Sequence, residues 1–249
     1  MTSEFWSACR RRYGDEAVAE LRCAFDAALE AEKLEALAEF AAGAGHEINN
    51  PLTVISGRAQ LLLRDEKDPE RRRTLALIRA QAVRVNEMIA DMRLFARPPE
   101  PVREDFDLVP LVDSIAQKLS DEYARQEIAV DRVGEASDVR LNADPMQMQV
   151  ALRAMCRNSA EAIGVDGRIE LEVTADADEI CISVRDTGPG ITPQERRHIF
   201  DPFYSARQAG RGLGLGLSKA WRIVTNHRGR IDVESEPGQG TTFTIHLPL

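Results

Sequence analysis

At residues 45–52 the chain reads Gly45-His46-Glu47-Ile48-Asn49-Asn50-Pro51-Leu52. The surrounding apolar residues recur in alternating steps of three and four, which is typical of helices that pack along a seam. In this register Ala44 and Ile48 face inwards, and His46 falls between them on the outward face. The pattern therefore predicts an exposed histidine. Glu47 beside it is placed to hold or remove an imidazole proton, which leaves the other ring nitrogen as a nucleophile.

Two further residues of this stretch favour a functional histidine over an ordinary surface one. Pro51 cannot donate a backbone hydrogen bond, so we expect it to free the carbonyl of Glu47 and to bend the helix just past the histidine. Asn50 lies one turn from His46, where its amide could orient a water molecule.

The seam continues on both sides of this stretch and predicts a helical hairpin. The apolar positions of its first helix are Leu34, Leu37, Ala41, Ala44, Ile48, Leu52, Ile55, Ala59 and Leu62, and those of its second helix are Leu75, Ile78, Ala82, Val85, Ile89 and Met92. Between them the pattern breaks at residues 65–69, where Pro69 suits the first turn of a new helix. Two helices cannot bury both seams well, so we predict a homodimer that closes a four-helix bundle. A further helical pattern, out of phase with the seam, precedes residue 34 and predicts a lead-in helix.

Composition excludes several classes of protein. The net charge is −9, which argues against a nucleic-acid partner. The apolar runs are far shorter than the roughly 20 residues that a membrane span needs, and the first residues lack the pattern of a signal peptide. We therefore expect a cytoplasmic chain without a membrane span. The four cysteines (Cys9, Cys23, Cys156 and Cys181) have no metal-binding spacing, and we expect free thiols.

The second half of the chain has a different pattern. Arg97-Pro98-Pro99-Glu100-Pro101 ends the second helix and predicts a stiff, extended linker. Beyond it, alternating apolar segments predict strands at 128–133, 139–141, 169–175, 179–185, 231–235 and 241–247. Helices are predicted from the cap residues Asp107 and Asp144 and over 216–226. Strands covered on one face by helices give a two-layer α/β domain.

Four clusters in this half contain candidate binding residues: Arg157-Asn158-Ser159-Ala160-Glu161-Ala162, Asp186-Thr187-Gly188-Pro189-Gly190-Ile191, Gly212-Leu213-Gly214-Leu215-Gly216-Leu217-Ser218 and Gly238-Gln239-Gly240-Thr241-Thr242-Phe243. A carboxylate at a strand end, such as Asp186, suits hydrogen bonding to an exocyclic amine. Alternating glycines before a helix expose backbone N–H groups to phosphate. Taken singly, each cluster has an ordinary explanation as a surface amide or a turn.

Together with the histidine, these clusters resemble a known family. Residues 46–57 resemble the phosphoacceptor box of the sensor histidine kinases of two-component systems. The four clusters, in this order, resemble the N, G1, G2 and G3 boxes of the Bergerat ATP-binding fold. Phe200-Asp201-Pro202-Phe203-Tyr204 resembles the F box of the same kinases. The resemblance covers residues 34–249. It implies a helical lead-in at 1–33, a dimerisation and phosphotransfer hairpin at 34–97, a hinge linker at 98–104 and an ATP-binding domain at 105–249.

The resemblance also implies roles for particular residues. His46 would accept the γ-phosphate of ATP with Glu47 as a base, and would pass it to an aspartate in the receiver domain of a response regulator. Asn50 would assist hydrolysis of the phosphorylated regulator. The remaining implied roles are Mg²⁺ ligation by Asn158, adenine recognition by Asp186 and Thr241, lid hinges at Gly188 and Gly190, and nucleotide contacts from Arg207, Gly212, Gly214 and Gly216.

Three positions depart from the family pattern. Ala154 stands where many members have a second asparagine, Arg207 replaces a lysine that is common after the F box, and Leu213 occupies a position that is often small or polar. The change at Ala154 is expected to weaken Mg²⁺–ATP binding. Two alternatives stay open: an ATPase or serine kinase on the same ATP-binding fold, and an inactive scaffold that dimerises and docks a regulator.

Overall fold

The computed structural model of the chain describes residues 14–204 and 213–249. The chain divides into two compact units between Arg97 and Pro98. The first unit contains helices α1 (Asp15–Asp65) and α2 (Pro69–Ala96). Helix α1 continues without a break through Pro51 and includes the described part, from Asp15 onwards, of the segment predicted as a lead-in at 1–33; residues 1–13 lie outside the described ones. No described helix has a stretch that is both long and apolar enough to cross a membrane.

The turn between α1 and α2 forms where the sequence pattern breaks. The Asp68 side chain caps α2 by accepting a hydrogen bond from the Arg71 N–H at 2.9 Å, and Pro69 occupies the first turn. Arg72 reaches back across the turn and donates to the carbonyls of Leu63 and Glu66, at 3.0 and 2.9 Å. These contacts join the end of one helix to the start of the next.

The two helices meet through small side chains. Ala41, Ala59 and Ala82 are buried, and a Cβ added at Gly45 would lie 3.4 Å from Cγ2 of Ile89. Larger members of the predicted seam stay on the outside, and their exposed fractions are 38% for Ile48, 45% for Ile55 and 60% for Leu62. The inward position predicted for Ile48 is therefore wrong for a single chain, because one neighbouring helix covers only part of an apolar stripe. The side chain of Ala44 lies outside the described ones.

The second unit contains the mixed sheet. Its strands are β1 (Glu104–Asp107), β2 (Ile128–Val133), β3 (Arg140–Ala143), β4 (Gly167–Ala175), β5 (Glu179–Asp186), β6 (Arg230–Ser235) and β7 (Thr241–Pro248). Its helices are α3 (Leu108–Tyr123), α4 (Pro145–Ile163), α5 (Pro193–Arg196) and α6 (Gly216–Asn226), with a 3₁₀ turn at Ala124–Gln126. The predicted caps Asp107 and Asp144 are both confirmed, since each carboxylate accepts from the first turn of its helix.

The main sheet has the order β2-β4-β5-β7-β6 among the described residues. Strands β2 and β4 are parallel and the other pairs are antiparallel. Alternate residues of the central strand β5 (Ile180, Ile182 and Val184) are fully buried, and α3, α4 and α6 pack on the sheet and on one another. The predicted two-layer α/β architecture is confirmed. The opposite face of the sheet is polar and partly exposed.

Within the second unit, Pro99 and Val102 of the proline-rich segment are hydrogen-bonded to α4 and to its cap residue. The Pro99 carbonyl accepts from Nε2 of Gln147 at 3.0 Å, and the Val102 N–H donates to Oδ2 of Asp144 at 3.0 Å. Strand β1 then begins at Glu104 and pairs with β3, a short pairing that the sequence pattern does not reveal. The proline-rich segment is therefore held by side chains of α4 and of its cap.

The buried side chain of His227 is hydrogen-bonded to the same cap residue, Asp144. Its Nε2 accepts the Asp144 N–H at 3.1 Å, and its Nδ1–H donates to the Ile223 carbonyl at 2.8 Å. Both ring nitrogens are thus used by the neutral imidazole. Burial lowers the pKa of His227, and the positive charge of Arg103 adds to this effect, against smaller opposing contributions from the Ile223 carbonyl and Asp144.

We predict that the second unit loses stability as the pH falls from about 7.5 to about 5.5, across the ordinary histidine pKa of about 6.5. In this range the unfolded chain takes up a proton at His227 that the folded chain resists, so the unfolded state is favoured. Urea unfolding followed by Trp221 fluorescence, in a Trp6→Phe background, measures the effect. The pH dependence should flatten in His227→Gln and persist in His198→Gln, which changes an exposed histidine. Equal slopes in all three proteins would contradict the prediction.

Candidate active site

His46 lies on an exposed part of α1. Its neighbour Gly45 is buried against α2, while His46, Glu47 and Asn50 are exposed. Pro51 is inside the helix, so the carbonyl of Glu47 lacks the N–H that would normally bond to it four residues on. The exposed position predicted for His46 is observed. The imidazole is open to a reaction partner, and its role as a phosphoacceptor stays a prediction at this point.

Asp186 forms the centre of the second cluster. It is the last residue of β5 and only 3% exposed. Its Oδ2 accepts the Ser159 hydroxyl at 2.7 Å, and its Oδ1 accepts the N–H groups of Gly188 at 2.9 Å and Thr241 at 3.2 Å. An ionised carboxylate accepts about four hydrogen bonds. Three protein donors therefore orient the group and leave one acceptor position for a ligand N–H.

Helix α4 supplies the neighbouring polar residues. Ser159 is fully buried on the face of α4 that meets Asp186, and the preceding residue, Asn158, is half-buried. Ser159 is not among the residues predicted to form the site. The indication was that a hydroxyl on the buried face of a helix needs a partner, and the nearby strand-end carboxylate provides it.

The segment after Asp186 packs against the β6–β7 turn and is hydrogen-bonded to it. Gly190 has φ 72°, and a Cβ there would lie 2.1 Å from the Glu236 carbonyl oxygen. The Pro189 carbonyl accepts from the Gly238 N–H at 2.7 Å, and the Ile191 N–H donates to Oγ of Ser235 at 2.8 Å. Ser235, which sequence reasoning missed, also lies 3.1 Å from Oγ1 of Thr241. The contacts bring the G1-like and G3-like stretches together.

The glycine-rich stretch is described from Leu213 onwards. Gly214 has φ 68°, and a Cβ there would lie 2.5 Å from the Tyr204 carbonyl oxygen. The carbonyl of Gly214 accepts a hydrogen bond from the Phe203 N–H at 3.1 Å. Gly216 is the first residue of α6, and among the described residues a Cβ at this position would meet nothing within 4 Å. The amino end of a helix suits an anion, because its first N–H groups have no partner within the helix. Arg207 and Gly212 lie outside the described residues.

Comparison with known proteins relates both clusters to one family. Residues 36–101 match the family model of the His Kinase A (phospho-acceptor) domain, and residues 143–249 match that of the Histidine kinase-, DNA gyrase B-, and HSP90-like ATPase. The chain is 34% identical over 220 residues to the sensor histidine kinase ZraS of Klebsiella oxytoca, which covers 88% of this chain and 47% of that protein. The chain belongs to the sensor histidine kinases.

Other relatives agree with this assignment. The signal transduction histidine-protein kinase AtoS of Escherichia coli strain K12 is 34% identical over 223 residues, with 88% of this histidine kinase chain and 36% of AtoS covered. The crystal structure of full-length ShkA in complex with AMPPNP superposes with a TM-score of 0.70 at 26% identity, covering 84% of this chain and 45% of ShkA. The histidine kinase chain thus spans about half the length, or less, of these relatives.

Two glycines of the β6–β7 turn in this histidine kinase provide a matched pair of variants that tests the packing around Asp186. Gly238 and Gly240 have φ 84° and 83°, so alanine at either position suffers the same strain of about 1–2 kcal/mol. A Cβ at Gly238 would meet nothing within 4 Å, whereas one at Gly240 would lie 2.0 Å from the Asp186 carbonyl oxygen. We predict that Gly240→Ala weakens ATP binding at least about tenfold, or about 1.4 kcal/mol, and that Gly238→Ala changes it little. Isothermal titration with ATP measures both, and equal losses would contradict the proposed geometry.

Proposed function

We propose that this chain is an ATP-dependent protein histidine kinase that phosphorylates His46 and passes the phosphoryl group to an aspartate of a response regulator. The observation that carries the proposal is the presence, in one chain, of an exposed histidine on a phosphoacceptor hairpin and a buried carboxylate with a free acceptor position in an ATPase-type fold. The two sites supply the acceptor and the donor of one phosphoryl transfer.

Asp186 is the residue to which we assign recognition of adenine. Its three protein donors leave one acceptor position, and the exocyclic amine of adenine is a donor of matching kind. Thr241, paired with Asp186 across β5 and β7, borders the same position. The phosphates would lie against backbone N–H groups of Gly212, Gly214 and Gly216, where the dipole of α6 adds attraction for negative charge. Gly188 and Gly190 would begin the segment that covers the nucleotide, and Arg207 would contribute a cation to it.

Asn158 is the residue to which we assign Mg²⁺. Its amide oxygen is the hard donor type that Mg²⁺ prefers, and it is half-buried on α4, next in sequence to Ser159. The donor set therefore fits a magnesium ion that shares its remaining positions with phosphate oxygens and water. The ion would neutralise charge on the triphosphate.

The chemical step is an in-line transfer. A ring nitrogen of His46 attacks the γ-phosphorus, a P–N bond forms, the bond to the β-phosphate oxygen breaks and ADP leaves. Glu47, exposed beside the ring, takes the imidazole proton or holds it on the other nitrogen. Positioning and charge neutralisation supply most of the acceleration in such reactions. Asn50, one turn further on, would orient the water that hydrolyses a phosphorylated regulator.

A phosphorylation assay with paired variants tests this function. Wild-type protein with Mg²⁺ and γ-labelled ATP should acquire label that is lost in acid and kept in base, as expected for a phosphoramidate. His46→Gln should bind ATP normally and take no label, whereas Asp186→Asn should lose ATP binding and label together. Titration calorimetry provides the binding measurement. Label that survives acid, or that persists in His46→Gln, would refute the assignment and point to a serine or threonine acceptor.

We also propose that the chain acts as a homodimer through the hairpin. Ile48, Ile55 and Leu62 recur every seven residues along α1 and remain exposed in the single chain, and Ile78 and Val85 do the same along α2. This spacing forms a continuous apolar strip of the kind that a second hairpin covers in a four-helix bundle. Nothing else in the described part of the first unit covers it.

Light scattering on the purified chain tests the dimer. The wild type should have twice the 27.7 kDa mass of one chain. The double variant Ile55→Asp/Leu62→Asp should be monomeric, because two charges would be buried in the interface. The control Gln60→Asp, an exposed position between them, should stay dimeric. A wild type that is monomeric at micromolar concentration, or a double variant that remains dimeric, would contradict the proposal.

The bounds of the domains are also part of the proposal. We retain a phosphotransfer hairpin over 34–97 and an ATP-binding domain over 105–249, with 98–104 as the connection. The hydrogen bonds from Pro99 and Val102 to α4 and its cap support a hinge at the Arg97–Pro98 junction, since the rest of the connection would move with the second domain.

A further inference from the structure

The exposed face of the main sheet carries a cluster of metal-binding side chains far from the nucleotide site. Cys181 on β5 is paired directly with His246 on β7, and Glu179 lies two residues before Cys181 on the same face. The outer-face cluster, as we call it, consists of these three residues with Arg230 and Asp232 of β6. It occupies the opposite end of β5 from Asp186, at about 17 Å along the strand for Cys181 and about 23 Å for Glu179.

Three donor atoms of the outer-face cluster form a small triangle. Nδ1 of His246 lies 3.3 Å from Sγ of Cys181 and 2.9 Å from Oε1 of Glu179, and Sγ lies 3.7 Å from the same Oε1. With the usual zinc bond lengths to sulfur, nitrogen and oxygen, tetrahedral geometry separates such atoms by about 3.4–3.6 Å. One ion could therefore contact all three atoms after shifts of a few tenths of an ångström. The donors are carried by adjacent strands, which holds the triangle in place.

The second ring nitrogen of His246 is already oriented. Nε2 lies 3.1 Å from Oδ2 of Asp232, while Nδ1 faces Cys181 and Glu179. A carboxylate behind a histidine in this way is the usual arrangement around protein-bound zinc. A metal ion would replace any proton on Nδ1 and would contact the Glu179 oxygen that lies 2.9 Å from this nitrogen.

Arg230 supplies a positive charge at this point. Its Nη2 lies 3.0 Å from Nδ1 of His246, and its Nη1 donates to Oε2 of Glu179 at 2.9 Å. The side chain is 58% exposed and also lies near Asp232, so it can leave Nδ1 without losing all its carboxylate partners. Arg230 and a metal ion would compete for the same two acceptors.

The charges in the cluster suit a divalent cation. Hydrogen bonds from Arg230 and His246 hold the pKa of Glu179 at about 2, so this carboxylate is ionised at neutral pH. Partial burial and the Glu179 carboxylate raise the pKa of Cys181, which keeps its thiol protonated while no metal is bound. A metal ion would replace that proton, and binding would release it.

We propose that Glu179, Cys181 and His246 bind a Zn²⁺ ion on the exposed face of the sheet, with water as the fourth ligand. Asp232 orients the histidine, and Arg230 swings away when the ion binds. The thiolate, the imidazole and the carboxylate form a mixed sulfur, nitrogen and oxygen set, which zinc accepts in tetrahedral geometry. The ion ties β5 to β7 and so stiffens the two strands that hold Asp186 and Thr241 at their other ends.

Cobalt substitution in the whole 249-residue chain, without an affinity tag, tests the site. Metal-free protein titrated with Co²⁺ should develop tetrahedral visible bands and a thiolate-to-cobalt charge-transfer band that saturate at one equivalent. Zn²⁺ should displace the cobalt. Far-ultraviolet circular dichroism checks that each variant folds. Absence of stoichiometric binding by the wild type would overturn the proposal.

Five variants test which residues bind the metal ion. Cys181→Ser should lose the charge-transfer band, and His246→Gln should weaken binding at least about tenfold, within the range seen when metal sites lose such groups. Arg230→Gln should bind more tightly, since the competing cation is gone. Cys23→Ser, an exposed thiol in the first unit, should match the wild type. A band that persists in Cys181→Ser, or an Arg230→Gln variant that binds no better, would overturn the ligand set or the competition. Asp186→Asn should keep the site, which separates it from the nucleotide.

Discussion

The buried carboxylate of Asp186 is the constraint on which the nucleotide site depends. A polar group buried at this depth costs free energy unless it is hydrogen-bonded, and a hydrogen bond to a charged group contributes about 1.5–3 kcal/mol. Its three donors come from three separate segments: Ser159 from α4, Gly188 from the segment after β5, and Thr241 from β7. The helix layer and two strands are therefore joined through one side chain. Folding of the second unit and assembly of its binding site use the same contacts.

Backbone packing around Asp186 explains the glycines of that region. A side chain at Gly240 would strike the Asp186 carbonyl, and one at Gly188 would approach its Oδ1 to 2.9 Å. Small residues are thus required by the protein itself, before any nucleotide is considered. By contrast, a Cβ at Gly216 would meet nothing within 4 Å among the described residues, so the packing of that part of the chain does not itself require a glycine there.

Much of this architecture could be predicted from residue patterns because the patterns are local. Helical periodicity and the caps Asp107 and Asp144 act within a few residues, and the predicted strands agree with the observed ones to within a residue or two at most ends. Strand β1 was missed because Glu104–Asp107 is mostly polar and pairs with residues over 30 positions away. The partners of Ser159 and Cys181 were missed for the same reason. Ser159 bonds 27 residues away and Cys181 contacts His246 65 residues away, so only the strand register brings them together.

The first unit obtains its stability in a different way from the second. The second unit covers its own sheet with three helices, and its largest apolar side chains are fully buried. In the hairpin the small residues Ala41, Ala59 and Ala82 fill the helix contact, and such methyl groups contribute little, at about 0.8 kcal/mol per buried carbon. The larger residues Ile55 and Leu62 stay outside. In the proposed dimer a second copy would cover these residues, and the hydrophobic free energy of their burial would stabilise α1, the helix that carries His46. The stability of this helix would then depend on the concentration of the chain.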